Sequence, residues 1–342
     1  MGAHGLYARD GVQATSTLDE LITVQRAESP SKQPFIRATE IWVPTKDRQR
    51  LELASGLYGP LKEFEEVSQT TTFGYGEGLP GKAWAAGHPI VLKDLTNSYF
   101  KRGEAAQRAG LTCALALPIF GPQSLIAVML LFCGDDQQHI GAIEVWHTPP
   151  DSIEMGLVDG YYGTADVFEW YSRHTHFMCG TGLPGVVWET GMPVILEDLG
   201  RSRRFLRWES AERAGLNRGV GIPCGRNSRD PWVLTFLSAL GTPIARRFET
   251  WVPAPDDSGL IFRAGVCEHG IDLAAVYGPA PLSHEGGTLG HVWRRGSPAI
   301  ATDLSLEPPP LMASLQGTEL STMVAMPVMT DGKLKAIVNW YL

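Results

Sequence analysis

The feature that most constrains this chain is an internal repeat. A Gly-rich block that ends in Gly-x-Pro surrounds Trp84, Trp188 and Trp293, which are 104 and 105 residues apart. The same register holds for the pairs Glu40/Trp42, Glu144/Trp146 and Glu249/Trp251 and for Asp94, Asp198 and Asp303. Chance does not keep one register over several landmarks. The sequence therefore predicts three consecutive copies of one structural unit of about 105 residues.

The local pattern within one repeat predicts strands first and helices later. β-branched, aromatic and alternating residues favour strands at Ala38–Val43, Arg50–Ser55 and Phe64–Phe73. Pro80 suits the first turn of a short helix that Gly87 ends. The remaining predictions are an extended Pro89–Leu92, a helix at Arg102–Ala109, and a hairpin of Cys113–Ile119 with Leu125–Phe132. The fold class is then α+β, with three tandem units that each have a roughly six-stranded antiparallel sheet and short helices and loops on one face.

The junctions between repeats are only a few polar residues long, so no linker helix fits there. We predict a disordered N-terminus at 1–16, a first repeat with an N-terminal helix (Thr17–Arg26) at 17–139, a second repeat at 140–244 and a divergent third repeat at 245–342. The sheet faces away from the predicted helices are apolar, as in Leu125–Phe132 and Trp232–Leu237. Those faces must pack back to back within the chain or against a second chain, which favours a homodimer.

Charge and cysteine content exclude several classes of protein. A formal charge of −8 and a pI near 5.6 argue against binding to nucleic acid or to an anionic membrane. The sequence has no signal-peptide pattern and no apolar run of membrane-spanning length, so we expect a cytoplasmic protein. Five cysteines without a CxxC pair suit neither a disulfide framework nor a zinc ribbon. They are Cys113, Cys133, Cys179, Cys224 and Cys267.

Several motifs recur in a fixed order along the chain. The first repeat has Gly78-Leu-Pro-Gly81, Phe100-x-Arg102, Ala109-Gly110-Leu111 and Ala116-Leu117-Pro118, and the second has close counterparts. This ordered set resembles the GAF family of small-molecule-sensing domains, and also the GAF-like N-terminal regions of plant RWP-RK regulators. The third repeat departs, with Leu306-Glu-Pro-Pro-Pro310 in place of the Phe-x-Arg segment. The resemblance implies a ligand cavity between the sheet and the Gly-Leu-Pro-Gly helix. It names no ligand and no cofactor, since GAF units hold cyclic nucleotides, tetrapyrroles or amino acids, or hold nothing and dimerise.

The candidate ligand-binding residues follow from these motifs and from an arginine-rich segment. Between Arg201 and Arg229 there are eight arginines and only two glutamates, and arginine binds carboxylate and phosphate with two parallel hydrogen bonds. Each candidate has a structural alternative: a core tryptophan, an Asx turn, or a solvated helix face. The candidates are Trp188, Asp198, Arg204, Phe205, Arg207 and Arg218 in the second repeat and Trp84, Asp94, Phe100 and Arg102 in the first.

Catalytic chemistry finds less support in the sequence. His174-x-His176 on a strand, near Cys179, lacks a third metal ligand at a defined spacing, so no metal site is predicted. Cys113 and Cys133 on adjacent strands form either a redox pair or small apolar core residues. The sequence therefore favours a non-enzymatic sensory protein that binds a small, anionic molecule and signals through self-assembly or a regulatory protein partner. The alternatives are a ligand-free dimerisation scaffold and a thiol-dependent enzyme on a GAF scaffold.

Overall fold

The fold is given by a computed structural model that describes residues 34–134, 140–202 and 204–342. These residues form three antiparallel sheets with short helices, one sheet for each repeat. We call them unit 1, unit 2 and unit 3. The predicted disordered segment 1–16 and the predicted helix Thr17–Arg26 lie outside the described residues. The α+β fold class is confirmed.

Unit 1 shows the plan on which all three units are built. Its elements are β1 (Ile36–Pro44), β2 (Arg50–Leu57), α1 (Lys62–Gln69), β3 (Thr72–Gly74), α2 (Gly78–Ala86), β4 (Ile90–Leu92), α3 (Gly103–Arg108), β5 (Leu111–Phe120) and β6 (Leu125–Gly134). The six strands lie side by side in the order β3-β2-β1-β6-β5-β4, so β1 and β6 pair at the centre of the sheet. The three helices pack on one face.

Units 2 and 3 repeat this order. Unit 2 has six strands and unit 3 has five, because only an isolated bridge between Leu260 and Leu282 stands where the short third strand of the other units lies. Unit 2 has β7 (Gly141–His147), β8 (Glu154–Tyr161), α4 (Asp166–Arg173), β9 (Phe177–Met178), α5 (Gly182–Thr190), β10 (Val194–Leu196), α6 (Trp208–Arg213), β11 (Arg218–Pro223) and β12 (Trp232–Ser238). Unit 3 has β13 (Arg247–Pro253), β14 (Leu260–Cys267), α7 (Leu273–Tyr277), α8 (Gly287–Arg295), β15 (Ala299–Ala301), a 3₁₀ turn (Leu304–Leu306), α9 (Pro309–Leu315), β16 (Met323–Thr330) and β17 (Lys333–Tyr341).

The repeated tryptophan of the first strand occupies the same place in all three sheets. Trp42, Trp146 and Trp251 are each fully buried, and each follows a β-bulge in the pairing with the next strand. A bulge adds one residue to one strand and turns the next side chain, here the indole, to a fixed face. The register predicted from the spacing of these tryptophans is confirmed.

One predicted element is wrong. The run Phe64–Phe73 was expected to be a strand, but residues Lys62–Gln69 form helix α1 and only Thr72–Gly74 are extended. Phe64 and Ser68, four residues apart, are the buried residues of this helix, and glutamates occupy its exposed side. That is helical periodicity, which the aromatic residues at both ends of the run obscured.

The Gly-Leu-Pro-Gly block forms a helix that ends as predicted. Gly87 takes the left-handed conformation with φ of 76°, and Gly191 and Gly296 do the same at the equivalent ends of α5 and α8. In this conformation a side chain is strained, so glycine at this position stops the helix after about two turns.

The apolar backs of the three sheets pack against one another within the chain. Side chains along β6 alternate, so that Met129 and Leu131 join one central core while Val128 and Leu130 face the helices of unit 1. The same central core takes Leu234 and Phe236 from unit 2 and Val338 and Trp340 from unit 3. The homodimer was predicted from uncovered sheet backs. These backs are covered inside one chain, and the homodimer stays a prediction.

Candidate functional site

A buried ion pair lies beneath the sheet of unit 1, on the side of the helices. The guanidinium of Arg102 donates to both carboxylate oxygens of Glu40 and to the hydroxyl of Ser68. The indole Nε1 of Trp42 and the hydroxyl of Tyr58 donate to the same carboxylate, at 2.8 and 3.1 Å. Arg102 and Glu40 are both almost fully buried. Every oxygen of this carboxylate therefore has protein partners and needs no ligand.

Aromatic rings enclose the Arg102 guanidinium on all sides. Its central carbon lies between 4.8 and 5.9 Å from five ring centroids. A guanidinium is weakly hydrated and is attracted to ring faces, so such an aromatic enclosure tolerates the buried charge. The rings belong to Trp42, Phe64, Phe73, Phe100 and Phe132.

Unit 2 contains the same cluster. Arg207 donates to both oxygens of Glu144 and to Ser172, while Trp146, Tyr162 and Thr235 also donate to this carboxylate. Burial acts to raise the pKa of Glu144, but the charge and hydrogen bonds of Arg207 outweigh it and the pKa is lowered overall. Burial and the Glu144 charge raise the pKa of Tyr162, which stays a neutral donor. The cluster is thus held as an ion pair with neutral donors.

Unit 3 builds an equivalent cluster from different parts of its chain. Its arginine is Arg247 on β13, whose guanidinium donates to the Ser314 hydroxyl at 2.9 Å and lies 3.7 Å from Glu249. Tyr277 donates to Glu249 at 2.7 Å, and Trp251 donates to it at 3.1 Å. Ser314 comes from α9, the helix that begins at the end of the Leu306-Glu-Pro-Pro-Pro310 segment. Unit 3 has no Phe-x-Arg segment, yet it too places a fully buried arginine against this glutamate.

The sequence-predicted residues are therefore spread over several environments. Arg102 and Arg207 lie in the buried clusters, with Phe100 and Phe205 packed against them. The partly buried Trp84 and Trp188 pack on the cores of units 1 and 2. Asp94 and Asp198 accept backbone hydrogen bonds in exposed turns, and Arg204 is exposed. Binding of a ligand by these residues stays a prediction.

Arg218 lies in another place, between units 2 and 3. It forms an ion pair with Glu268, and burial lowers the pKa of its guanidinium. Beside it is a cleft of about 460 Å³, bordered by Glu197 of unit 2 and by β14 and the start of α7 from unit 3.

The three units meet at one small cavity of about 30 Å³. Pro118, Pro223 and Pro327 line it, and they are the equivalent Leu-Pro, Ile-Pro and Met-Pro positions of the three repeats. Equivalent residues around one cavity give the units an approximate threefold arrangement. Cys224 also lines the cavity, and burial raises the pKa of its thiol.

A larger cleft, of about 480 Å³, opens beside this cavity, and we call it the junction cleft. Side chains from all three units line it. Arg226, on the loop between β11 and β12, lies with its guanidinium carbon 4.2 Å from the centroid of Phe120 in unit 1. The backbone N–H of Asp331, in unit 3, donates to the carbonyl of Arg226 at 3.1 Å. The lining residues are Ala86, Gly87, His88, Phe120, Gly121, Pro122, Arg226, Asn227, Asp230, Trp232, Asp331 and Gly332.

An aromatic stack forms one wall of the junction cleft. The Trp232 ring lies between His88 of unit 1, at 4.2 Å, and His147 of unit 2, at 4.0 Å. Asp230 fixes the stack, because its carboxylate lies 2.7 Å from His147 Nε2 and accepts from Trp232 Nε1 at 3.3 Å. The wall therefore joins units 1 and 2 by direct side-chain packing.

The metal and thiol hypotheses depend on where histidines and cysteines lie. His174 and His176 are not on a strand as predicted: His174 caps α4 and stacks on Trp170. Within residues 34–134, 140–202 and 204–342, no group of three His, Cys, Asp or Glu side chains could hold a metal ion. Cys113 and Cys133 are buried and face each other across β5 and β6. A redox role for this pair stays a hypothesis.

Sequence reasoning missed the residues that complete the buried clusters. Ser68, Ser172 and Ser314 had no visible role in the sequence, and neither did Tyr58, Tyr162 and Tyr277. Tyr58 and Tyr162 repeat at the 104-residue spacing, as do Ser68 and Ser172, so the repeat itself was the signal that could have found them.

A family model matches the first unit. Residues 40–148 match the model described as GAF domain. Unit 1 is thus GAF-like. The match covers the Glu40 cluster, the Gly-Leu-Pro-Gly helix and all the strands of unit 1 except the start of β1. Units 2 and 3 repeat its architecture as GAF-like units.

Solved structures resemble single units of this GAF-like chain. It is similar to the A. aeolicus nlh2 GAF domain in an inactive state, with 23% identity and a TM-score of 0.24 over 29% of this chain and 59% of that one. It is similar to free methionine-R-sulfoxide reductase of Neisseria meningitidis, with 18% identity and a TM-score of 0.23 over 29% and 52%. It is also similar to the GAF domain of the Acinetobacter phosphoenolpyruvate-protein phosphotransferase, with 14% identity and a TM-score of 0.22 over 29% and 56%.

The chain thus spans between half and two thirds of each of these three proteins. At such identities and TM-scores the likenesses give no information on the activity of this chain. No curated protein matches it. Among the helices of the described residues, none has the length and apolar character needed to cross a membrane.

Proposed function

We propose that this chain is a non-enzymatic binding protein of GAF-like units, and that its small-molecule ligand binds in the junction cleft rather than inside a unit. One contrast carries the proposal. Among the described residues of units 1 and 2, a buried arginine–glutamate pair and aromatic rings lie between sheet and helices, whereas the junction cleft is open and lined by all three units.

The size and lining of the junction cleft suit a small molecule. Ligand sites commonly have volumes of about 300–1,000 Å³ and combine apolar walls with a few polar groups. The cleft has about 480 Å³, with Phe120 and Trp232 as aromatic walls and Arg226, Asn227 and His88 as polar groups. A molecule there contacts units 1, 2 and 3 at once.

The cleft offers an anionic ligand one cationic group, Arg226, beside the carboxylates of Asp230 and Asp331. Asp230 is engaged by His147 and Trp232, and Asp331 accepts a hydrogen bond from the Ser228 backbone N–H at 3.3 Å. Arg226, in contrast, has no carboxylate within ion-pair distance among the described residues. Its guanidinium offers several N–H donors to a carboxylate or phosphate.

Binding in this place links occupancy to the arrangement of the units. A ligand that contacts loops from three units binds best when those loops have one relative position, so its presence stabilises that arrangement. A partner protein or a second copy of the chain that binds only this arrangement then responds to the presence of the ligand. The homodimer belongs to this proposal.

Native mass spectrometry of protein purified without denaturation tests the proposal, with the released molecule then titrated by calorimetry. Arg226→Gln should weaken binding at least about tenfold, because it removes the charged hydrogen bonds to the anion. Arg229→Gln, a change to an exposed arginine of the same loop that does not line the cleft, should leave binding unchanged.

Two results would favour other readings of the chain. If no molecule is released, and neither inorganic phosphate nor a series of small carboxylates raises the melting temperature, the ligand-free scaffold is the better account. If Arg204→Gln, a change to an exposed arginine of unit 2, weakens binding while Arg226→Gln has no effect, the ligand binds at unit 2.

A further inference from the structure

The helical side of unit 2 exposes large apolar side chains that a soluble surface does not need. They lie on α4, at the start of α6 and just before it, and each is between 42% and 61% exposed. Exposed tryptophan and leucine that share one face mark interaction sites on soluble proteins. The residues are Val167, Trp170, Tyr171, Leu206 and Trp208, and we call them the unit 2 apolar face.

Unit 1 supplies an internal comparison for this face. The buried Phe64 and Ser68 of α1 correspond to Phe168 and Ser172 of α4, which fixes the alignment of the two helices. Arg102 and Arg207 align the segments that follow. In this alignment the apolar face of unit 2 replaces Glu63, Glu66, Val67, Lys101 and Gly103 of unit 1. At four of these positions the fold therefore does not require an apolar residue, and at the fifth unit 1 has the partly buried Val67.

An ion pair of unit 1 shows which charge unit 2 has lost. Arg108 at the end of α3 lies 2.6 Å from Glu63 on α1 and joins the two helices. Unit 2 keeps the arginine as Arg213 but has Val167 in place of the glutamate. Arg213 has no carboxylate within ion-pair distance in the described part of the chain, although Glu209 and Glu212 lie on the same short helix.

A second ionic link of unit 1 is also absent. Lys101 forms an ion pair with Glu77 at the N-cap of α2. The equivalent positions in unit 2 are Leu206 and Thr181, which carry no charge. Two ionic links of unit 1 are thus replaced on unit 2 by aliphatic side chains and by one arginine without its partner.

We propose that the unit 2 apolar face binds an amphipathic helix of a partner protein, and that an acidic residue of this helix pairs with Arg213. The partner's carboxylate takes the place that Glu63 holds in unit 1. Trp170, Tyr171 and Trp208 supply the aromatic contacts that carry most of the binding energy in protein interfaces, and helices commonly bind through such apolar surfaces. Arg204, two residues before Leu206, is a second exposed arginine close in sequence to this face.

The test distinguishes two other occupants. A second copy would pair this face with itself across a twofold axis, with the same arginines on both sides. A single-stranded nucleic acid stacks on aromatic rings, but it would also meet the aliphatic Val167 and Leu206.

Fluorescence anisotropy on the full chain tests this inference. The probe is a labelled helical peptide of about 18 residues, or five turns, with leucine on one face and glutamate on the other. A peptide with lysine in place of glutamate serves as the matched probe. We expect the glutamate peptide to bind and the lysine peptide to bind at least about tenfold more weakly.

The decisive variant is Val167→Glu/Trp170→Glu, which gives unit 2 the residues of unit 1. Because unit 1 folds with glutamate at both positions, the variant should keep its melting temperature and bind the glutamate peptide at least about tenfold more weakly. Glu63→Gln/Glu66→Gln in unit 1 is the control and should leave peptide binding unchanged.

Four outcomes would overturn the inference. The first is that the wild type and the Val167→Glu/Trp170→Glu variant bind the glutamate peptide equally well. The second is that the lysine peptide binds more tightly than the glutamate peptide. The third is that neither peptide binds, while single-stranded oligonucleotides or phosphatidylserine vesicles bind the wild type and not the variant. The fourth is self-association of the wild type, seen by sedimentation, that this variant abolishes.

Discussion

Arg102 and Arg207 come from the loop before the third helix of their units, whereas Arg247 comes from the first strand of unit 3. All three guanidinium groups nevertheless lie by the glutamate that precedes the buried tryptophan by two residues. A glutamate buried without an opposite charge is strongly destabilising, so an arginine must reach it from some part of the chain. Because Arg247 meets this requirement from β13, unit 3 keeps the ion pair although it lacks the Phe-x-Arg segment.

Removing one charge from a cluster should therefore destabilise the protein. Glu144→Gln leaves Arg207 charged among aromatic rings, and the amide presents two donors where Trp146 and Tyr162 already donate. We expect a loss of about 3 kcal/mol in the free energy of unfolding, measured by urea titration. Glu212→Gln, on the exposed side of α6, should change it by less than about 0.5 kcal/mol. Equal stability of the two variants would contradict this account.

The same pair predicts a pH dependence. The pKa of Glu144 is lowered in the folded protein from an ordinary value of 4.5, so the unfolded chain binds a proton first as the pH falls. The stability that ionised Glu144 contributes is complete above about pH 4.5 and is lost as the pH falls through the folded pKa. Urea titrations at a series of pH values should show the difference between wild type and Glu144→Gln shrinking below about pH 4.5. A difference that stays constant or grows there would be inconsistent with the ion pair.

The sequence identified these arginines but not their role. A repeated Phe-x-Arg segment has the same appearance whether the guanidinium holds a ligand or a buried carboxylate, because both uses need aromatic neighbours and one fixed charge. Glu40 and Arg102 are 62 positions apart, and only the tertiary fold brings them together. The repeated Glu-x-Trp pair was visible, but a single sequence does not show which cation faces it.

Among the elements, the strands of the hairpins and the Gly-Leu-Pro-Gly helix were predictable because their signals are local. Apolar runs on both sides of Gly121-Pro122 predict β5 and β6, and Gly87 predicts the end of α2. Helix α1 was not predicted. Its short length leaves two buried side chains, Phe64 and Ser68, and a serine in the core gives no hydrophobic signal. Ser68 is buried because it accepts from Arg102, which is a tertiary reason.

A glycine on the second strand of a unit gives a prediction at the scale of the element. Gly160 on β8 pairs with Glu144, and a Cβ there would lie 2.8 Å from the ring of Tyr162 and 2.9 Å from the Ile143 carbonyl oxygen. Gly160→Ala must therefore displace backbone or the tyrosine that donates to Glu144, and we expect a loss of about 1–3 kcal/mol. Gly241→Ala, in a turn with open space around the Cβ, is the control and should be close to neutral. Thermal unfolding measures both, and an unchanged melting temperature for Gly160→Ala would refute the close packing.

At the scale of the whole molecule, the sequence predicted three sheets with apolar backs but did not determine what covers those backs. Whether such backs meet within one chain or between two chains depends on the angles at two short junctions, which composition and periodicity do not encode. The structure joins all three backs in one core and brings the hairpin loops of the three repeats together. The junction cleft arises from that assembly, so none of its properties belongs to a single repeat. Motif reasoning considers one repeat at a time, so its candidate ligand-binding residues lie in single repeats.

The most direct test of a binding protein that uses its junction cleft is a crystal structure of the chain with the molecule found by native mass spectrometry. The account predicts density for that molecule in the cleft beside Arg226, Phe120 and Trp232, with the Arg102–Glu40 and Arg207–Glu144 pairs intact. Density between the sheet and the Gly-Leu-Pro-Gly helix of any unit, with one of these pairs displaced, would contradict it.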